Sequence, residues 1–253
     1  MNASVPAATD ATPSVEPTLS PLARSVAMFT RPAQAWVGLR ERAQWWFPMV
    51  LMVAFAALSS ALLFDRALMP MLTEGWERQV ANGQMPPEQL EHIQQFFAGP
   101  AGRAFLIGQQ AVGFPLITLV IALLIWFGVG FVLGTGMKYR LALEVACWSS
   151  LIALPAQLLT AGLSWTKETF RGVHVGFGLL LPDVDPPTKL HTAAGVLLDA
   201  IGPLSIWYVV VAVLGAAALS GAPRRSVVWT MGVLYLVVMV FVAGLAALGT
   251  PSG

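Results

Sequence analysis

Residues 111–133 read AVGFPLITLVIALLIWFGVGFVL, with no charged side chain from end to end. A helix needs about 20 apolar residues to cross a bilayer core of ~30 Å, and this run is long enough. In hydrocarbon a single segment satisfies its own backbone N–H and C=O groups only as a helix. Four further predominantly apolar runs of similar length occur, at residues 46–64, 144–165, 201–219 and 227–248. The fold class expected is all-α: a polytopic membrane protein, a bundle of five transmembrane helices with an interfacial N-terminal helix.

Composition agrees. Of 253 residues, 57% are hydrophobic and 11% charged, where soluble domains carry about 25% charged residues. An unpaired charge in hydrocarbon costs on the order of 3 kcal/mol, so a membrane domain excludes it. A net charge of +1 gives no footprint for nucleic acid. Cys147 is the only cysteine, so no intrachain disulfide exists.

Working outward from the spans, residues 1–21 hold Ala, Pro, Thr and Ser with Asp10 and Glu16. They lack the charged start and apolar run of a secretory signal. They also lack the apolar surface to fold, so a disordered tail is expected. Residues 22–248 form the membrane domain and 249–253 a short C-terminal tail. Residues 22–45 carry Arg24, Arg31, Arg40 and Arg42, with Ala35, Trp36 and Leu39 at helical spacing. This predicts an amphipathic helix at the lipid interface, with Trp36 at headgroup depth.

The loop of residues 65–110 contains a stripe of Leu90, Ile93 and Phe97 between Pro87 and Gly99-Pro100, a short amphipathic helix. Pro155 should kink the third span. In the loop before the fourth span, Val173, Val175, Phe177, Leu179 and Leu181 alternate with other residues, which predicts an extended segment. No internal repeat of the transporter type is visible.

With the N-terminus inside, inner segments hold eight basic residues: Arg24, Arg31, Arg40, Arg42, Lys138, Arg140, Arg224 and Arg225. Outer segments hold six, spread over two long loops: Arg66, Arg78, Arg103, Lys167, Arg171 and Lys189. Paired basic residues in both short turns favour a cytoplasmic N-terminus and an outside C-terminus, in a bacterial inner membrane.

Chemistry-bearing patterns are few. Cys147, Ser150, Gln157, Thr160 and Ser164 fall on one helix face of the third span, with Pro155 among them in sequence. Such a stripe either lines a pathway or makes interhelical hydrogen bonds. Glu144 and Asp199 are acids at span ends, Asp199 placed to cap the fourth helix. Gly128, Gly130, Gly134 and Gly136 lie in an apolar span with no preceding strand, so close helix packing is expected rather than phosphate binding. His92, His174 and His191 show no metal-ligand spacing. Asp183-Val-Asp185-Pro-Pro lacks the further oxygens of a calcium loop and reads as a turn. No nucleophile–base set is present, so no catalytic residue, metal or cofactor is expected.

A longer order of motifs is present. Phe29-Thr-Arg-Pro-Ala-Gln-Ala-Trp36 precedes Trp46-Phe-Pro48. Lys138-Tyr-Arg140 leads into Cys147-Trp-Ser-Ser-Leu-Ile-Ala-Leu-Pro155, and Leu198-Asp199-Ala-Ile-Gly-Pro-Leu-Ser-Ile-Trp207 comes before the last basic turn. This order resembles the bacterial branch of the Ypt/Rab-interacting-protein (Yip) domain family. The resemblance implies a five-span membrane protein without catalytic residues. Eukaryotic members bind Rab-type GTPases, act in vesicle traffic and membrane shaping, and carry an N-terminal Asp-Leu-Tyr-Gly-Pro motif. Here no tyrosine precedes Tyr139, so Rab binding does not carry over.

Two functions follow as expectations. One is a non-enzymatic scaffold or adaptor. Its Arg24, Arg31, Arg40 and Arg42 would meet anionic lipid, and a protein partner or second copy would pack on its spans. The other is a transporter or transporter subunit using the polar face of the third span.

Overall fold

Each apolar run is a helix, and several helices outlast the run that announces them. The computed structural model describes residues 19–182, 184 and 188–250. Of the tail expected at residues 1–21, residues 1–18 lie outside the described residues, as do Asp183 and Asp185 of the expected turn and residues 251–253, while Pro21 already opens a helix. Among the described residues five helices are long and apolar enough to span a membrane: Trp46–Ala81, Pro100–Val132, Tyr139–Lys167, Pro203–Ser220 and Arg224–Leu248. The chain is an all-α polytopic membrane protein.

In order the α-helices are α1 (Pro21–Thr30), α2 (Trp46–Leu63), α3 (Met69–Ala81), α4 (Pro87–Ala98), α5 (Pro100–Ile125), α6 (Tyr139–Ser150), α7 (Leu154–Lys167), α8 (Lys189–Ala200), α9 (Pro203–Ser220) and α10 (Arg224–Leu248). Proline opens many of them, where its missing N–H would be unpaired anyway. Ser20 Oγ accepts from Ala23 N at 3.3 Å to start α1. Thr188 Oγ1 accepts from His191 N at 3.2 Å to start α8.

Three expectations need correction. The amphipathic helix of residues 22–45 stops at Thr30, and residues 32–41 fold as consecutive turns. Pro32 disfavours helical geometry at Arg31 and offers no N–H of its own. The alternating segment around residue 177 is a single tight 3₁₀ turn, Phe177–Leu180, and no strand occurs among the described residues. An isolated extended segment has no neighbour to receive its backbone groups, and here a carboxylate gathers them instead. The loop before the fourth span also contains α8, whose pattern of small residues gave no strong helical period.

Two helices run on through π-helical turns, Phe64–Leu68 between α2 and α3 and Trp126–Val132 after α5. The third span is broken by a 3₁₀ turn at Leu151–Ala153. Pro155 cannot donate to the carbonyl four residues earlier, so the chain tightens just before it.

Helix α2 packs on α5, α5 on α6, α6 on α9, and α10 on both α9 and α8. One end of the bundle carries the start of α2 and the turns 133–138 and 221–223; we call it the turn end. The other carries α3, α4, the 168–188 loop and α8; this is the loop end. The buried core gathers around the turn end, where Met28, Trp36 and Leu39 of the N-terminal segment meet Trp148, Val211, Ala216 and Val227. A Cβ on Gly215 would come within 2.5 Å of the Trp36 ring, so that glycine lets the indole lie against α9. A Cβ on Gly128 would come within 2.4 Å of Leu234, so the close approach expected in this span is made to α10. Gly134 instead sits in a turn at φ +64°. Trp229, Val233, Leu236, Val240 and Phe241 of α10 are exposed, an apolar face whose natural solvent is lipid.

Candidate functional site

Glu144 is the most deeply buried charge among the described residues. It lies on α6 with no exposed surface. Its Oε1 accepts from the backbone N–H of Gln44 at 2.8 Å, just before α2 begins. Its Oε2 accepts from Trp148 Nε1 at 3.1 Å, and Arg140 Nη1 lies 3.6 Å from Oε1. Gln44 turns its own Oε1 to Arg24 Nε at 3.0 Å. Arg24 also donates to the carbonyl of Ala35, and its guanidinium faces the Trp148 ring at 5.7 Å. A carboxylate suits this place, because the free N–H groups and positive end of α2 converge there.

This network fixes the N-terminal segment to the bundle. Arg140 adds to it by donating to the carbonyl of Leu39 at 3.2 Å and to that of Arg40. Arg24 and Trp36, expected at the lipid interface, are 1% and 2% exposed inside the protein. Burial lowers the Arg24 guanidinium below its ordinary range, and the Glu144 charge opposes that shift. Arg31, Arg40 and Arg42 stay exposed, with Arg40 Nη2 donating to the carbonyl of Ala218 at 3.0 Å. Lys138, Arg224 and Arg225 are exposed in or beside the two turns of the same end. Among the described residues the turn end therefore carries a rim of six exposed cations with one exposed acid, Glu41.

The polar residues of the third span do not form one stripe. The break at residues 151–153 changes the phase between α6 and α7. Cys147 is buried, and Ser150 Oγ donates to the Cys147 carbonyl at 2.7 Å. Ser164 is buried, with no partner for its hydroxyl. Gln157 and Thr160 alone come together, in a cavity of about 520 Å³ between α2, α5 and α7. Pro155 does not line it.

Asp199 ends α8 but does not cap α9 with its side chain. Its Oδ1 accepts from the backbone N–H groups of Gly176 and Gly178, both at 3.1 Å. Its Oδ2 lies 2.7 Å from His174 Nδ1. Only its backbone carbonyl serves the next helix, receiving Gly202 N at 3.1 Å and Ser205 Oγ at 2.9 Å. His174 and Asp199 line a second cavity, about 570 Å³, with His191, Thr192, Arg171 and Glu74. Arg171 Nη1 is 2.8 Å from Glu74 Oε1. Among the described residues no group of three or more His, Cys, Asp or Glu is placed to hold a metal.

Gln44, Trp148 and His174 are site residues that sequence reasoning missed. Each acts through a partner 20 to 100 residues away, Trp148 excepted, which follows Glu144 by one helical turn. The Glu144–Trp148 spacing was the one readable signal.

The Yip1 domain matches residues 26–246, nearly the whole chain. No curated protein and no solved structure matches it.

Proposed function

We propose that this chain, which belongs to the Yip1 domain family, works as a non-enzymatic membrane scaffold or adaptor. The observation that carries the reading is the N-terminal segment held to α6 by Arg24, Gln44 and Glu144. A segment fixed in this way presents Arg31, Arg42, Lys138, Arg224 and Arg225 as one rigid basic rim. Such a rim suits anionic lipid headgroups or an acidic protein face, each near-surface cation contributing about 1 kcal/mol. The same asymmetry favours a cytoplasmic turn end, with the C-terminus outside and the protein in a bacterial inner membrane.

The test reverses the exposed charges alone, Arg31→Glu, Arg42→Glu and Arg225→Glu, because Arg24 belongs to the core. The full chain is captured in native membrane discs, and co-captured proteins and lipids are quantified by mass spectrometry. Loss of partner recovery and of anionic-lipid enrichment is expected at about fivefold per charge, with unchanged protein yield. Recovery equal to the parent on both counts would sink the reading.

Transport is the second reading, supported by the cavity that Gln157 and Thr160 share. Proteoliposomes that swell in neutral solutes no faster than protein-free liposomes would remove it.

A further inference from the structure

The cavity between α2, α5 and α7 has walls of an unusual kind. Ser59, Ser60, Gln110, Gln157 and Thr160 all line it, and none makes a side-chain hydrogen bond among the described residues. Ser59 lies about 20 Å along α2 from Trp46, and Thr160 about 30 Å along the third span from Tyr139, at ~1.5 Å per residue. Both positions fall within or at the far edge of a ~30 Å hydrocarbon core. A hydroxyl or amide left without a partner at that depth costs several kcal/mol. Ser59, Ser60, Gln157 and Thr160 facing one space, with the exposed Gln110 at its mouth, point to an occupant that supplies their hydrogen bonds.

The lining also limits what the occupant is. It contains no charged side chain, so no counter-ion waits for a phosphate or an ammonium group. Phe55, Phe114 and Ile117 supply apolar wall beside the polar groups. Ile117 is 63% exposed while it lines the cavity, so the space opens sideways toward the lipid. Serine, threonine and glutamine all donate to carbonyl oxygens, and they also accept from a hydroxyl. The volume lies in the roughly 300–1,000 Å³ range of small-molecule sites. The π-helical turn Phe64–Leu68 interrupts the helix between two lining residues, Leu63 and Leu68. Such interruptions occur frequently at functional sites.

We propose that this cavity binds a neutral glycerolipid. The ester and hydroxyl oxygens of the lipid meet Ser59, Ser60, Gln110, Gln157 and Thr160, and its hydrocarbon lies against Phe55, Phe114 and Ile117. The site is separate from the basic rim, so it stands or falls independently of the adaptor reading.

The test uses the full chain in nanodiscs with a diacylglycerol carrying a photoactivatable group in one acyl chain. A phosphatidic acid with the same chain is the charged comparison. Labelled peptides are mapped by mass spectrometry. Labelling of α2, α5 and α7 by the diacylglycerol probe is expected, with excess unlabelled diacylglycerol removing it. Gly113 lines the cavity and a Cβ there meets nothing within 4 Å. Gly113→Phe therefore fills the space while leaving the five polar groups in place. Gly113→Phe and Gln157→Leu should each lower labelling about tenfold, through lost space or lost hydrogen bonds. Labelling that unlabelled diacylglycerol does not displace overturns the proposal, and this readout needs no variant. Equal labelling by the phosphatidic acid probe, or full labelling of a folded Gly113→Phe protein, overturns it as well. A cavity that holds only water gives these same negative results.

Discussion

The two ends of the bundle solve the same problem in opposite ways. At the turn end, charges are buried and matched: Glu144 sits among Gln44, Trp148 and Arg140, with Arg24 one step beyond. At the loop end, ion pairs stay half in water. Asp65 is 68% and Arg103 44% exposed in a pair of 2.9 Å, and the two large cavities open there and in the adjoining half of the bundle. The clefts at the turn end are smaller, about 160 and 290 Å³, and close packing of the core beside them gives a rigid element. Cavities with exposed polar rims leave room for a ligand. The turn end is thus built to hold a shape and the loop half to receive something.

Substitutions should separate the ends, beginning with the largest effect. Glu144→Leu leaves Arg24 and Arg140 without their acid and should cost about 3–5 kcal/mol. Thermal unfolding in detergent measures it, and a far lower midpoint with loss of monodisperse protein is expected. Adding Arg24→Met should recover part of the loss, since one stranded charge is then removed. A Glu144→Leu protein as stable as the parent would dissolve the contrast between the ends.

Gly215→Leu forces Trp36 from its place against α9 and should cost about 1–3 kcal/mol, with the Trp36 region becoming accessible to fluorescence quenchers. Asp199→Ala leaves the N–H groups of Gly176 and Gly178 without their acceptor. Because these groups are only partly buried, a loss of about 1 kcal/mol is expected. It should show as faster amide exchange at residues 173–181 and unchanged exchange at residues 21–45. Asp65→Asn breaks an exposed pair and should change stability by no more than about 1 kcal/mol, a difference that shrinks in high salt.

The sequence made one scale of this structure readable and hid another. Five spans follow from apolar length alone, because a bilayer imposes that length on any helix that crosses it. The helix at Pro87–Ala98 was readable from its stripe of Leu90, Ile93 and Phe97. Trp36 and Arg24 lie inside the bundle rather than on lipid, and a short run of Arg and Trp has the same composition in either place. The difference lies in Gln44 and Glu144, 100 residues apart, and no local period reports on such a pair. The polar face of the third span was misread for a simpler reason. One helix would place all five residues on one face, whereas the 3₁₀ turn before Pro155 splits the span and leaves only Gln157 and Thr160 of them on the cavity.

The fixed N-terminal segment is tested most directly by hydrogen–deuterium exchange of the full chain in nanodiscs, the parent beside Glu144→Leu. Amides of residues 35–45 should exchange slowly in the parent, more slowly than those of residues 170–182, and should lose that protection in the variant. Fast exchange at residues 35–45 in the parent, at the rate of an unstructured chain, would contradict the fixed basic rim and the adaptor reading with it.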